Sequence, residues 1–213
     1  MERVRRSPPL RPSFSSSANF DGQDNSPPGR ALTTAELRRN KPDRHAFRTR
    51  ARLPVQVVLD GVRQGYNVGA LFRLCDAFLC ERLVVCGRDA TRGMRKLVQA
   101  AQGTHKWVPW GQADTAIEVV RAARAGGYQV VAVEQTHGAM GVSQFVPRYP
   151  VCLVLGSERD GVSQALLDLA DAAVVIPMQG MANSLNVATA AAIVLHTMAI
   201  RFADVAPGSG DDR

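Results

Sequence analysis

From Pro54 onward the chain alternates short runs rich in β-branched residues with stretches whose apolar residues recur every three or four positions. The runs VQVVLD (55–60), LVVC (83–86), YQVVAV (128–133), VCLVLG (151–156) and AVVIP (173–177) are nearly continuous in hydrophobicity, as expected of strands buried on both faces. Between them, Leu71, Leu74, Cys75 and Phe78 trace one face of a helix, and Ala113–Ala125 predicts a second that Gly126 and Gly127 close. Ser163 is placed to cap a third helix, and Val187–Phe202 predicts the last. Strands alternating with helices predict an α/β fold, a parallel sheet with helices on both faces and ligands at the carboxyl ends of the strands. Residues 89–112 give no clear pattern.

The first 52 residues are of another kind. Residues 1–30 are rich in Ser, Pro and Arg and poor in large apolar side chains, so burial cannot offset the entropy of ordering them, and disorder is expected. Thr33–Arg39 reads as the start of a short helix capped by Thr33 or Thr34, followed by a basic linker to Leu53. The expected organisation is a basic, largely disordered arm over 1–52, a single folded domain over 53–204 and a flexible tail over 205–213.

Charge sharpens that division. The arm holds twelve Lys or Arg against five Asp or Glu, and fourteen of each follow it, so the whole net charge of +7 resides in the arm. Such an arm attracts polyanions by neutralising phosphates and releasing counterions, although a solubility tail has the same composition. Arg3, Arg5, Arg6, Arg11 and five serines superficially fit an organelle transit peptide. Pro8, Pro9 and Pro12 oppose the amphipathic helix this would need, and Arg outnumbers Lys 23 to 3 throughout, so a cytoplasmic location is favoured. The longest apolar run, near Ala188–Ile200, is interrupted by His196 and Thr197 and falls short of the roughly 18 to 20 residues of a membrane span, so no membrane partner is expected. Cys75, Cys80, Cys86 and Cys152 match neither zinc-ligand spacing nor a disulfide scaffold, and read as buried, reduced thiols; no metal is expected.

The loops narrow the chemistry. There is no G-x-G-x-x-G after a strand, no G-x-x-x-x-G-K-[ST] and no G-x-S-x-G elbow; GSERDG (156–161) has P-loop glycine spacing without its Lys. Three polar clusters instead follow strands: DGVRQGYNVGALFR (60–73), GSERDG (156–161) and PMQGMANSLN (177–186). In an open parallel sheet they converge on one rim, bringing Asn67, Arg73, Glu158, Ser184 and Asn186 together. One cation, one carboxylate and three neutral groups suit the orientation of a hydroxyl and a phosphate. Asn67 precedes the helix of Leu71 and Phe78 and is placed to cap it, leaving the helix N-terminus for an anion; Arg73 lies off the apolar stripe. Taken singly, Asn67 and Ser184 are equally well read as helix caps and Glu158 as a surface carboxylate. Asn186 in the first turn of an apolar helix has poor helix propensity and points to a hydrogen-bonding task.

In order and spacing, VVLDGVRQGYNVGALFRLCDAF, LVLGSERDGVS and VVIPMQGMANSLNVATAAAIVL resemble the three motifs of SpoU-type RNA methyltransferases of the SPOUT superfamily, over most of residues 55–202. The resemblance implies an α/β SPOUT fold with a C-terminal trefoil knot, S-adenosylmethionine as methyl donor bound at the knot, RNA as substrate and a homodimer with the site near its interface. It implies Asn67 and Arg73 in motif 1, Gly156 and Glu158 in motif 2, and Ile176, Met178, Ser184, Leu185 and Asn186 in motif 3 as site residues. Of these, Gly156, Ile176 and Leu185 would contact the donor and Met178 would line the adenine pocket, where without the resemblance they would read as a turn glycine and core residues.

The implied reaction is in-line attack of a ribose 2′-oxygen of tRNA or rRNA on the donor's methyl group, with catalysis by positioning and electrostatics. A guanidinium keeps its proton at neutral pH, so Arg73 is expected to stabilise alkoxide or phosphate rather than act as a base. Arg88, Arg92, Arg95 and Lys96 offer a possible extension of a phosphate-binding surface, and His105, Trp107 and Trp110 a possible stacking platform, with a solvated face and core packing as the plainer readings. The alternatives are a non-catalytic RNA-binding module of the same fold and a base methyltransferase.

Overall fold

The computed structural model describes residues 29–39, 41–87 and 94–205. Most of the stretch 1–30 expected to be disordered, most of the expected flexible tail 205–213, and Arg88 and Arg92 lie outside the described residues. The chain divides into two compact units, one ending at Ala51 and the other beginning at Arg52.

In the first unit, helix α1 (Thr34–Arg39) opens with a reciprocal cap: Glu36 N–H donates to Thr33 Oγ1 at 3.3 Å, and Thr33 N–H donates to Glu36 Oε2 at 2.7 Å. The cap is Thr33, one of the two threonines predicted for it. A second short helix, α2 (Arg44–Thr49), is capped by Asp43, whose Oδ1 accepts from His45 N and Ala46 N at 2.8 Å each.

The second unit runs β1 (Leu53–Asp60), α3 (Gly65–Ala77), β2 (Cys80–Cys86), α4 (Met94–Ala101), β3 (Trp110–Ala113), α5 (Ala116–Ala125), β4 (Gln129–Val133), β5 (Met140–Gly141), β6 (Val151–Gly156), α6 (Gln164–Leu167), β7 (Ala172–Val175) and α7 (Val187–Val205). Its seven strands form one parallel sheet in the order β3-β2-β1-β6-β4-β7-β5. Successive side chains of a strand point to opposite faces, and both faces are covered. Val55, Val57, Leu59, Leu153 and Leu155 pack with Leu71 and Phe72 of α3, Leu97 of α4 and Val194, Leu195 and Met198 of α7. Val58, Val84, Val130, Ala132 and Val154 pack on the other side with Val120 of α5 and Leu166 of α6. Helices on both faces of a parallel sheet are thus as expected.

Three strands and helices of this unit escaped the pattern reading, as α2 did within the expected basic linker. In α4, Leu97 and Ala101 are the buried residues among those described, too few to announce a periodicity. It sits close against α3 because residue 69 is glycine: a Cβ there would stand 2.5 Å from Ala100 Cβ and 2.7 Å from the Leu97 carbonyl oxygen. Strand β3 has the sequence WGQA and β5 only two residues, neither carrying a β-branched side chain. Helix α5 begins at Ala116 rather than Ala113, because Ala113 closes β3 in register with Cys86. By length and composition alone Val187–Asp204 of α7 is long and apolar enough to cross a membrane, unlike the shorter run read from the sequence; here Ala191, Val194, Leu195 and Met198 are buried in the core.

Candidate functional site

The carboxyl ends of β1 and β6 lie level, with Asp60 in register with Gly156, and Val133 at the end of β4 sits level with Leu155 and Val174. The loops leaving these strands therefore start side by side. After β6 the chain makes a tight turn: Gly161 N–H donates to the Ser157 carbonyl at 2.9 Å and Asp160 N–H to Ser157 Oγ at 3.0 Å. Both ends of this turn require glycine. A Cβ on Gly156 would lie 2.0 Å from the Gly161 carbonyl carbon, and Gly161 itself has φ +67°.

This turn presents Glu158, whose Oε1 accepts a hydrogen bond from Asn67 Nδ2. Asn67 is buried and is the third residue of α3. It therefore does not cap the helix as predicted; Gln64 occupies that position without a side-chain cap bond. The physical reason is that the Asn67 amide is committed elsewhere, its Nδ2 to Glu158 and its Oδ1 to Asn186 Nδ2 at 3.1 Å. Asn186 lies immediately before α7 rather than in its first turn, and its Oδ1 accepts from Ala188 N at 2.9 Å and Thr189 N at 3.4 Å. The cap considered for Ser184 is thus made by Asn186. Ser184 is exposed at the mouth of a cleft.

That cleft, about 890 Å³ in volume, opens between the loops after β4, β6 and β7. Gly156, Glu158, Ile176, Met178, Ser184 and Leu185 all line it. Its floor is backbone at Gly156, its walls include Leu155, Leu167, Val174, Ile176 and Leu185, and Glu134, Glu158 and Asp160 supply carboxylates. Arg73 stands apart: it is exposed on α3, is not among the cleft-lining residues and has no hydrogen bond or ion pair to a described residue. Asn67 and Asn186 are not among the cleft-lining residues and are joined to the cleft through the Asn67–Glu158 hydrogen bond.

Sequence reasoning passed over Glu134, Gln135, Thr136 and His137, which line the cleft directly after β4. The signal was present, since EQTH is a polar cluster after a predicted strand, like the three that were singled out. The aromatic platform fares differently. Trp110 packs edge-on against Phe72 with ring centroids 5.3 Å apart, and Trp107 donates its indole N–H to Asp76 Oδ1 at 2.8 Å.

Residues 54–196 match the model of the SpoU rRNA methylase family. The chain belongs to that family. It is 33% identical over 141 residues to the tRNA (guanosine(18)-2′-O)-methyltransferase of Aquifex aeolicus, covering 66% of each chain. It is 32% identical over 184 residues to the 23S rRNA (uridine(2479)-2′-O)-methyltransferase of Streptomyces viridochromogenes, covering 82% of this chain and 61% of that one. Among solved structures of SpoU methyltransferases, AviRb from Streptomyces viridochromogenes in complex with AdoMet superposes with a TM-score of 0.62 at 31% identity, covering 68% of this chain and 59% of that one. This SpoU chain therefore spans about two thirds of the length of the curated relatives it matches.

Proposed function

We infer that this protein is an S-adenosylmethionine-dependent methyltransferase acting on a ribose 2′-hydroxyl of tRNA or rRNA. The observation that carries the reading is the Glu158–Asn67–Asn186 network, which joins helix α3 to the loops after β6 and before α7 and reaches a cleft lined by Gly156 through Glu158. The cleft has the chemistry of the donor: apolar walls at Ile176 and Leu185 with Met178 beside them for an adenine, a backbone floor at Gly156 and carboxylates for a cationic ligand. When bound, S-adenosylmethionine supplies an electrophilic methyl group.

The chain's own task is to hold the accepting oxygen in line and to favour the negative charge that develops on it. Asn67 and Glu158 lock one another and hold the ribose in register. Asn186 fixes the start of α7, and Ser184 sits at the cleft mouth to orient donor and acceptor. Arg73 provides the cation that stabilises alkoxide or phosphate, since a guanidinium keeps its proton at neutral pH.

Arg73 follows Asn67 by six residues, which at about 100° per residue turns it roughly 120° round α3. It faces away from its own network, so we read the working unit as a homodimer in which Arg73 serves the partner's cleft. Exposed Tyr66 on α3 and Ile193 and Ile200 on α7 provide apolar surface for that pairing. The trefoil knot is supported by the path of residues 177–186. They leave β7, beyond β4 in the sheet, yet Asn183 and Asn186 return to bond Gln135 after β4 and Asn67 after β1. The basic excess of residues 1–52 adds sequence-independent affinity for RNA, in a cytoplasmic setting.

The test is incubation of purified protein, and of an Arg73→Ala variant, with methyl-labelled donor and total RNA, followed by sizing and alkaline hydrolysis. Label in alkali-resistant dinucleotides from tRNA or rRNA, lost in the variant, is the expected result and names the substrate. Label in alkali-sensitive nucleotides would mean base methylation, and donor binding without transfer to either RNA would indicate a binding module.

A further inference from the structure

The two residues after β4 join the loops that face each other across the donor cleft. Glu134 is half-buried, and its carboxylate accepts from two backbone N–H groups, Oε2 from Val162 at 2.8 Å and Oε1 from Gln135 at 2.9 Å. Val162 closes the loop that carries Glu158. Gly161 is held directly beneath the carboxylate, where a Cβ would come 2.4 Å from Glu134 Oε2. The next residue reaches the opposite way: Gln135 Nε2 donates to the Asn183 carbonyl at 2.5 Å, in the loop that carries Ser184 and Leu185.

Together with the asparagine network these bonds close a ring. It runs from Glu134 to the loop after β6, through Glu158 to Asn67 and Asn186, back along the loop before α7 to Asn183, and through Gln135 to Glu134. Of this ring, Glu134, Gln135, Glu158 and Val162 line the cleft.

We propose that Glu134 and Gln135 are positioning residues for the methyl donor: they fix the separation of the two loops that form the cleft and thereby set donor affinity, without acting on the transferred methyl group. The inference rests on the donor-binding reading above. Both side chains act through specific polarity. Val162 and Gln135 each offer an N–H, which demands an acceptor at 134, and Asn183 offers a carbonyl oxygen, which demands a donor at 135. The Gln135→Glu substitution keeps the shape and reverses that polarity, placing a carboxylate against the carbonyl. Since Gln135 is exposed, this change spares the core.

The experiment is calorimetric titration of the full-length protein with S-adenosylhomocysteine, for wild type, Gln135→Ala, Gln135→Glu and Glu134→Gln, with thermal melts and steady-state kinetics on the methylated RNA. Binding to the wild type establishes the cleft itself; its failure would overturn the donor-site reading before the variants are considered. Given that binding, we expect Gln135→Ala to weaken it about tenfold, the loss of one well-placed hydrogen bond. Gln135→Glu should weaken it further, and Glu134→Gln, which sets an amide N–H against a backbone N–H, should also reduce it. The KM for donor should rise with kcat at saturating donor and the KM for RNA held within about threefold, a split that loss of folded protein would not produce. Donor affinity within twofold of wild type in Gln135→Glu, at unchanged melting temperature, would overturn the proposal. A fall in kcat at unchanged donor KM would overturn it too.

Discussion

Asn67 and Asn186 lie 119 positions apart in the chain and meet through one hydrogen bond, in which Asn186 Nδ2 donates to Asn67 Oδ1 at 3.1 Å. Each amide uses its other end as well, Asn67 toward Glu158 and Asn186 toward the N-terminus of α7. Neither residue can be changed without releasing a group on another loop.

Asn67→Ala should therefore cost about 1–3 kcal/mol of stability, the net worth of two hydrogen bonds of which one is made to a carboxylate. Asn67→Asp should cost more, because it sets a second carboxylate against Glu158. Urea denaturation of the two variants checks the order; an Asp variant more stable than the Ala variant would contradict the network.

Arg73→Ala should abolish most methyl transfer, by about a hundredfold or more for a lost charge-stabilising group, while leaving donor binding intact. If Arg73 serves the partner's cleft, a dimer of one Asn67→Ala subunit and one Arg73→Ala subunit retains one complete site. Co-purified mixed dimers should then recover about half of wild-type activity. If the two residues act within one subunit, both sites are damaged and nothing is recovered.

Gly69→Ala inserts a methyl group between α3 and α4 where the nearest atoms stand at 2.5 to 2.8 Å. Overpacking of this kind costs about 1–3 kcal/mol, and a lowered melting temperature is expected. Gly180→Ala, with nothing within 4 Å of the added carbon, is the control and should leave the melting temperature near wild type.

The sheet was legible in the sequence because its central strands are buried on both faces, leaving runs such as VVLD and VCLVL with hardly a polar interruption. The same logic hid β3, which has no fully buried residue, and α4, whose buried Leu97 and Ala101 make no pattern by themselves. Gly156, Glu158, Ile176, Met178, Ser184 and Leu185 were placed at one cleft through their motifs. The local reading of Asn67 as a cap failed, because local propensity carries no information about a partner 91 residues away. EQTH was legible as a polar cluster after a strand, but the partners of Glu134 and Gln135, the backbone N–H of Val162 and the carbonyl of Asn183, are groups that every sequence possesses and were not.

All four cysteines are free and buried. Burial pushes the Cys152 thiol up to about 12, and burial with the nearby Asp60 carboxylate does the same for Cys86. The folded state thus keeps protons that the unfolded chain releases near its ordinary value of 9.0. The stability this gives is complete below pH 9 and is lost as the pH rises toward 12. Denaturant midpoints measured across that range should fall, and a thiol reagent at neutral pH should react only as the protein unfolds.

The pairing of Asp60 with Gly156 makes the central strand β6 and its neighbour β1 a ruler for the site. A strand advances about 3.3 Å per residue, a displacement that no hydrogen bond can absorb. Deleting one residue from β1 or β6 would carry Asn67 out of reach of Glu158 and turn every core side chain of that strand to the wrong face. Catalytic alignment and core packing cannot drift independently, because the same count of residues sets both.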